Sequence, residues 1–296
     1  MLWAVFTIIA AAAQTARNAM QRELTAKLGT AGATHVRFLF GFPFAVLFLI
    51  ATMAATRLPL PSLTTPVFWP WVALGALSQI IATALMLAAM NHRSFVAATA
   101  YIKTEPVQVA IFGLVFLNDR IGPGAAAAII VATAGVVIMS MKPAAAGAAR
   151  LGSTLLGLGA GAMFALSAIG YRGAILALGY PDFVMAATFT LVVSLGMQAI
   201  ALTIFLALRD PRVLHMIFRL WRPSLLAGFM GALGSQFWFL AFAITAAANV
   251  RTLAVVEVLF AQAISKFVFK QASSLRDVVG ISLIVVGVVL LLWTTH

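Results

Sequence analysis

The chain has 296 residues, 63% of them hydrophobic and 9% charged, with no cysteine and a net charge of +12. Soluble domains carry about 45–50% apolar and about 25% charged residues, so this composition excludes a soluble globular enzyme and points to an integral membrane protein. A positive balance of this size would suggest nucleic acid in a soluble chain; here it reads as loop Lys and Arg at a membrane surface, with no nucleic-acid partner, no disulfides and no thiolate metal site.

A membrane-spanning helix needs about 20 mostly apolar residues. By that criterion ten spans are predicted, at 2–20, 34–53, 71–90, 95–116, 122–141, 155–178, 183–208, 225–244, 248–269 and 278–293. The first is short and apolar like a secretory leader. It lacks a basic leading region, however, and Gly157 to Ala168 looks like its counterpart later in the chain, so it is read as a mature helix. Spans three and four, and spans eight and nine, are joined by only a few residues and are expected to form antiparallel hairpins.

Trp69 and Trp71 before the third helix, Trp221 before the eighth and Trp293 at the end of the tenth read as interfacial anchors. Gly157, Gly159 and Gly161, like Gly228, Gly231 and Gly234, suit close helix packing better than phosphate binding, since no strand precedes either run.

The fourth span carries the densest polar set. Lys103, Glu105 and Gln108 sit beside Pro106 in an otherwise apolar stretch, and ionisable groups at membrane depth usually face a cavity or a partner. On a continuous helix Tyr101, Glu105 and Gln108 share one face while Lys103 lies nearly opposite, so Lys103 and Glu105 each need a partner from another helix. Pro106 removes a backbone hydrogen bond, which marks this helix as cavity-lining. A purely structural pairing of Glu105 with a membrane arginine is the competing reading.

Further candidates are Gln79 in the third helix, and Gln236 with Trp238 in the eighth. The two glutamines follow similar small-residue runs, GALS and GALGS, and form a candidate pair. Arg17 and Arg172 could gate, bind a carboxylate or snorkel from near their helix ends, with snorkelling the default, and His35 and Arg37 near the start of the second helix carry a similar ambiguity. His35, His92, His215 and His296 show no metal-ligand spacing, and no Ser, His and acid grouping is visible. Neither a metal, a cofactor nor enzymatic activity is expected.

A shift of 152 residues lays Val256 to Gln271 over Thr104 to Asp119, Glu257 over Glu105, and Gly287-Val288-Val289 over Gly135-Val136-Val137. The expected fold class is therefore an all-α integral membrane protein whose ten transmembrane helices form two five-helix repeats, 1–148 and 149–296, meeting at the flexible stretch Lys142 to Gly152. Five helices per half is an odd number, so the second half enters from the opposite side. Such inverted repeats place a solute site near the midplane and serve alternating access. Glu257 joins the candidate site as the counterpart of Glu105.

Lys and Arg are divided three to eleven between the loops on the side of the termini and those on the other side, which puts both termini outside the cytoplasm. Four of the eleven lie in the expected loop Arg209 to Arg222.

The ten-helix plan, the midpoint repeat and the run EPVQVAIFGLVFLND resemble the drug/metabolite transporter superfamily in its ten-helix EamA type. That family's fourth helix commonly closes with a proline, a glycine-bearing apolar run and an acid, here matched by Pro106, Gly113 and Asp119, and an arginine is frequent where Arg37 stands. The second half departs from the pattern, with Val258 in place of the proline and Gln271 in place of the acid. The resemblance implies export of amino acids or related metabolites through a bacterial inner membrane, with the YddG-like aromatic amino acid exporters as the nearest likeness. It also implies cytoplasmic termini, against the charge distribution. The expected partners are a small-molecule solute and the lipid bilayer, with the monomer as the working unit. A sugar-phosphate or nucleotide-sugar transporter, and a non-transport membrane enzyme or assembly factor, are the alternatives.

Overall fold

The computed structural model describes residues 1–62, 64–90, 102–140, 149–259 and 274–295. These residues are helical, with no strand among them. The helices are α1 (Leu2–Leu39), α2 (Gly41–Thr56), α3 (Phe68–Met90), α4 (Glu105–Leu117), α5 (Pro123–Ser140), α6 (Ala149–Ala177), α7 (Phe183–Arg209), α8 (Pro211–Arg219), α9 (Trp221–Ile244), α10 (Ala247–Leu253) and α11 (Leu275–Thr294). Among the described residues six stretches are long and apolar enough to cross a membrane: Glu23–Thr56, Phe68–Ala88, Leu155–Ala177, Phe183–Arg209, Trp221–Ile244 and Leu275–Thr294. Glu105–Leu117 and Pro123–Met139 are apolar but shorter.

Burial is distributed as lipid requires. Ile50, Ile111, Leu114, Ile200, Ile204 and Val289 are exposed, while Arg17, Gln21, His35, Arg37, Gln198 and Gln236 are buried. Apolar side chains face outward because hydrocarbon, unlike water, exacts nothing for their exposure; polar groups turn inward because only there do they find partners. Threonines follow the same logic: Thr7, Thr83, Thr188, Thr190 and Thr252 each donate to the carbonyl one helical turn earlier, which keeps the hydroxyl bonded inside a helix.

Two expected loops are mostly helix. The connection anticipated at 21–33 reduces to a bend at Gly29, whose φ of 68° is the left-handed region open to glycine. Helix continues on both sides of it, and Phe40 joins α1 to α2 in helical geometry. Arg22 and Lys27, assigned to a loop from the sequence, therefore lie on α1. The Arg209 to Arg222 connection contains α8, which buries Ile217 against a cluster with Leu24 and Leu28 of α1. Trp71 is a further correction. It packs on α6, where a Cβ on Gly173 would lie 2.6 Å from its ring, while Trp69, Trp221 and Trp293 are exposed.

The short α9–α10 connection matches expectation: Ile244 and Ala247 are separated by two residues. The α3–α4 connection, Tyr101 and most of Lys142 to Gly152 lie outside the described residues, as does the repeat stretch beyond Leu259, Gln271 included.

Packing links early helices to late ones. α1 lies against α9, α3 against α6, α2 against α7, α4 against α10 and α5 against α11. Gly228 and Gly231 face Phe40 and Arg37, so the glycines of α9 do serve close packing. The α5–α11 contact is tighter still. A Cβ on Gly135 would sit 2.7 Å from Gly280 O and 2.9 Å from Ile284 N; one on Gly287 would sit 2.9 Å from Ala128 O and 2.6 Å from Ala132 N. A shift of 152 residues turns the first set of atoms into the second.

Candidate functional site

The site forms where α4 and α10 cross. Ile102 is helical, Lys103 and Thr104 form a turn, and α4 starts at Glu105 with Pro106 in its first turn. Proline has no N–H to give to the carbonyl four residues back, so the helix is interrupted there; Val107 N bonds Thr104 O at 3.2 Å instead. The second half repeats this without a proline. Ala254 and Val255 form a turn after α10, helix resumes at Val256, and the i to i−3 bonds Val255 N to Thr252 O, Glu257 N to Ala254 O and Val258 N to Val255 O tighten the chain.

The interruptions bring four charges together in pairs. Lys103 Nζ bonds Glu257 Oε1, and Arg251 bonds Glu105 Oε1 through Nε and Nη2. Each carboxylate thus takes its cation from the opposite helix, as the spacing of Lys103 and Glu105 requires. Gln14 of α1 joins them: its Nε2 donates to Glu257 Oε2 at 3.2 Å, and its Oε1 accepts from Trp238 Nε1 at 3.3 Å. The Arg251 guanidinium lies 4.9 Å from the Trp238 ring centroid, and Phe242 stacks on that ring at 6.3 Å.

Two cavities open onto this cluster. The smaller is lined by Lys103, Glu105, Pro106 and Glu257 and the larger by Arg37, Gln79, Tyr171, Trp238, Phe239 and Phe242 among others. Gln14 and Arg251 line both. In the larger cavity Gln79 Oε1 accepts from Tyr171 Oη at 2.9 Å and from Gln198 Nε2 at 3.0 Å, while Ser194 donates to Tyr171 Oη. These bonds fix the Tyr171 ring, which packs on Phe239 at 4.4 Å.

Of the residues predicted from sequence, Lys103, Glu105, Gln79, Trp238 and Glu257 meet at these cavities. Gln108 does not line them; it bonds Thr104 Oγ1 of its own chain segment at 3.0 Å. The turn at Lys103 and Thr104 precedes both Glu105 and Gln108, which stay three apart on α4, yet only Glu105 reaches the cavity lining. Gln236 is buried and donates to Thr188 Oγ1 at 2.7 Å, away from the cavity lining, so the two glutamines have different surroundings.

Sequence reading missed Arg251, Gln198 and Phe239 as neighbours of the site. Arg251 lies six residues before Glu257, and that proximity was the available signal. Arg17 and Arg172 do not snorkel. Arg172 holds both oxygens of Asp119, at 2.7 and 2.9 Å, and donates to the carbonyls of Phe242 and Thr245 at the end of α9. It clamps the α4–α5 corner to the α9–α10 corner, with its charge on a helix C-terminus. Arg17 is only 3% exposed and Arg37 only 2%. Among the described residues no group of His, Asp and Glu could hold a metal.

Residues 1–141 match the EamA-like transporter family. No curated protein matches the chain. A solved structure described only as "Crystal structure of protein" superposes with a TM-score of 0.65, covering 98% of this chain and 99% of that one at 14% identity. At that identity the likeness is one of fold. It extends over the second half, which the family match does not reach.

Proposed function

We propose that the protein is a secondary transporter that exports amino acids, aromatic ones included, or related small metabolites across a bacterial inner membrane by alternating access. The observation that carries this reading is the polar, ring-lined cavity pair at the crossing of two interrupted helices, inside a chain whose outer surface is apolar. Interrupted helices at a cavity are how transporters bring backbone and charge to a solute inside the membrane. The family match of the first half supports the same reading.

The reading includes two inverted five-helix repeats, 1–148 and 149–296, with ten spans in all. It is supported by the exchange of helix partners, α1 with α9 and α3 with α6, and by the α5–α11 atom sets that interconvert under the 152-residue shift. The paired interruptions, each supplying a glutamate to the other helix's cation, fit the same relation. In this arrangement Lys103–Glu257 and Arg251–Glu105 hold the two halves together on one side of the solute, and the ring surfaces of Tyr171 and Trp238 receive its apolar body. The unequal division of Lys and Arg places the termini outside the cytoplasm.

The test is flux in proteoliposomes against a panel of labelled amino acids and small metabolites. Saturable uptake of ring-bearing solutes, faster than that of small ones, is the expected result. Folded, monodisperse protein that moves no solute of the panel would remove the transporter reading.

A further inference from the structure

The charges around the larger cavity do not balance. Arg37 and Arg251 line it, Lys103 lines the neighbouring cavity with the two carboxylates of Glu105 and Glu257, and Arg17 lies near Arg37 across Gly231. Both carboxylates are engaged, Glu257 with Lys103 and Glu105 with Arg251. Arg17 and Arg37 are not paired with any carboxylate among the described residues. Their stems flank Gly231, where a Cβ would lie 3.2 Å from Arg37 Cγ and 3.5 Å from Arg17 Cδ.

What these two arginines do touch is neutral. Arg37 Nη1 donates to Thr83 Oγ1 at 3.2 Å, and its guanidinium lies 5.1 Å from the Phe38 ring centroid. Arg17 Nη2 donates to Asn18 Oδ1 at 2.7 Å. The Nε atoms of both are buried and find no acceptor among the described residues. A buried guanidinium without a counter-charge is costly, and an oxyanion presenting two acceptors is the partner that its fork fits best. Arg37 lines the cavity together with Trp238, Phe239 and Phe242.

We infer that the transported solute is a ring-bearing organic anion, with its carboxylate held by Arg37, its ring against Trp238 and Phe239, and no compensating ammonium. The inference rests on the transport reading and, within it, selects related metabolites over amino acids. An ammonium entering this cavity has no free carboxylate to meet. Gln79 Oε1 already accepts from Tyr171 and Gln198, and Gln14 Oε1 from Trp238. To bind there it must displace Lys103 or Arg251 from a glutamate. A carboxylate, by contrast, supplies the charge that the cluster lacks.

Three probes with one skeleton separate the charges: 3-phenylpropionate, phenylalanine and 2-phenylethylamine, each measured for binding to the purified protein and for uptake into proteoliposomes. The acid is expected to bind and move about ten-fold or more better than the zwitterion, and the amine least. Arg37→Gln should erase the preference for the acid, and Arg37→Lys should retain part of it. If phenylalanine binds and moves as well as the acid, the site does not select a net anion and the inference falls while transport stands. If none of the three binds or moves, the inference also falls, and the broader panel decides the transport reading separately. The three-probe comparison uses the unaltered protein, so it holds even if the Arg37 variants do not fold.

Discussion

The α5–α11 seam and the α4–α10 crossing join early helices to late ones by opposite means. At the seam, side chains are removed: Gly135, Gly280 and Gly287 let two backbones approach until a single methyl group would strike a carbonyl or an amide. At the crossing, charge is added: Lys103, Glu105, Arg251 and Glu257 are held in two ion pairs beside two cavities. Lipid does not drive helices together as water does, so association relies on close packing or on polar partners. The seam needs only to hold. The crossing must hold and also exchange partners if a solute is to pass, and ion pairs can be broken and remade where interlocked backbones cannot.

The widest separation between the two regions is expected from bulk at the seam. Gly280→Leu places a branched side chain against Gly135 O and Met139, an overpacking cost of about 3 kcal/mol or more because backbone cannot move aside. The variant is expected to give little monodisperse protein on size-exclusion chromatography in detergent. A Gly280→Leu protein with unchanged yield and melting temperature would show that the seam is not a rigid contact.

An intermediate effect is expected at the crossing. Glu257→Gln leaves Lys103 part-buried without its acid, at a cost of about 3 kcal/mol, while the amide still accepts from Gln14. Flux should fall by more than the amount of folded protein does. Exchanging the pair, Lys103→Glu with Glu257→Lys, should recover a measurable part of both. Recovery of stability without recovery of flux would assign these charges to the transport cycle, and no recovery of either would show that the pair does not act as a unit.

The smallest effect is expected from Trp238→Phe, which keeps a ring in the cavity wall and loses the bond to Gln14 and the larger face under Arg251. A loss of about 1 kcal/mol is expected, read as a few-fold weaker solute affinity at near-normal melting temperature. An effect as large as that of Glu257→Gln would mean that the indole, rather than the ion pairs, organises the crossing.

Much of this architecture was legible in the sequence because lipid is a demanding solvent. A long apolar run declares a helix, and a charge within it declares an inward face, so the spans from Phe183 to Arg209 and from Trp221 to Ile244 and the inward position of Lys103, Glu105 and Glu257 could be read from residue order. Pro106 marked the interruption of α4 because a missing N–H is a local fact. The loops were less legible. Helices do not stop where hydrophobicity does, so α1 runs on to the bend at Gly29 and α8 fills a connection that composition alone makes look irregular.

Partner choice was beyond the sequence, and the reason is physical. Helix faces that meet lipid are as apolar as most faces that meet other helices, so no pattern tells toward which neighbour the inward side of α4 or α9 turns. Only the folded chain decided that Glu105 takes Arg251, that Asp119 takes Arg172, and that Gln236 bonds Thr188 while Gln79 reaches the cavity. Only the folded chain left Arg17 and Arg37 without a carboxylate, because a pairing needs two groups brought within reach, and reach between helices far apart in sequence is set by packing.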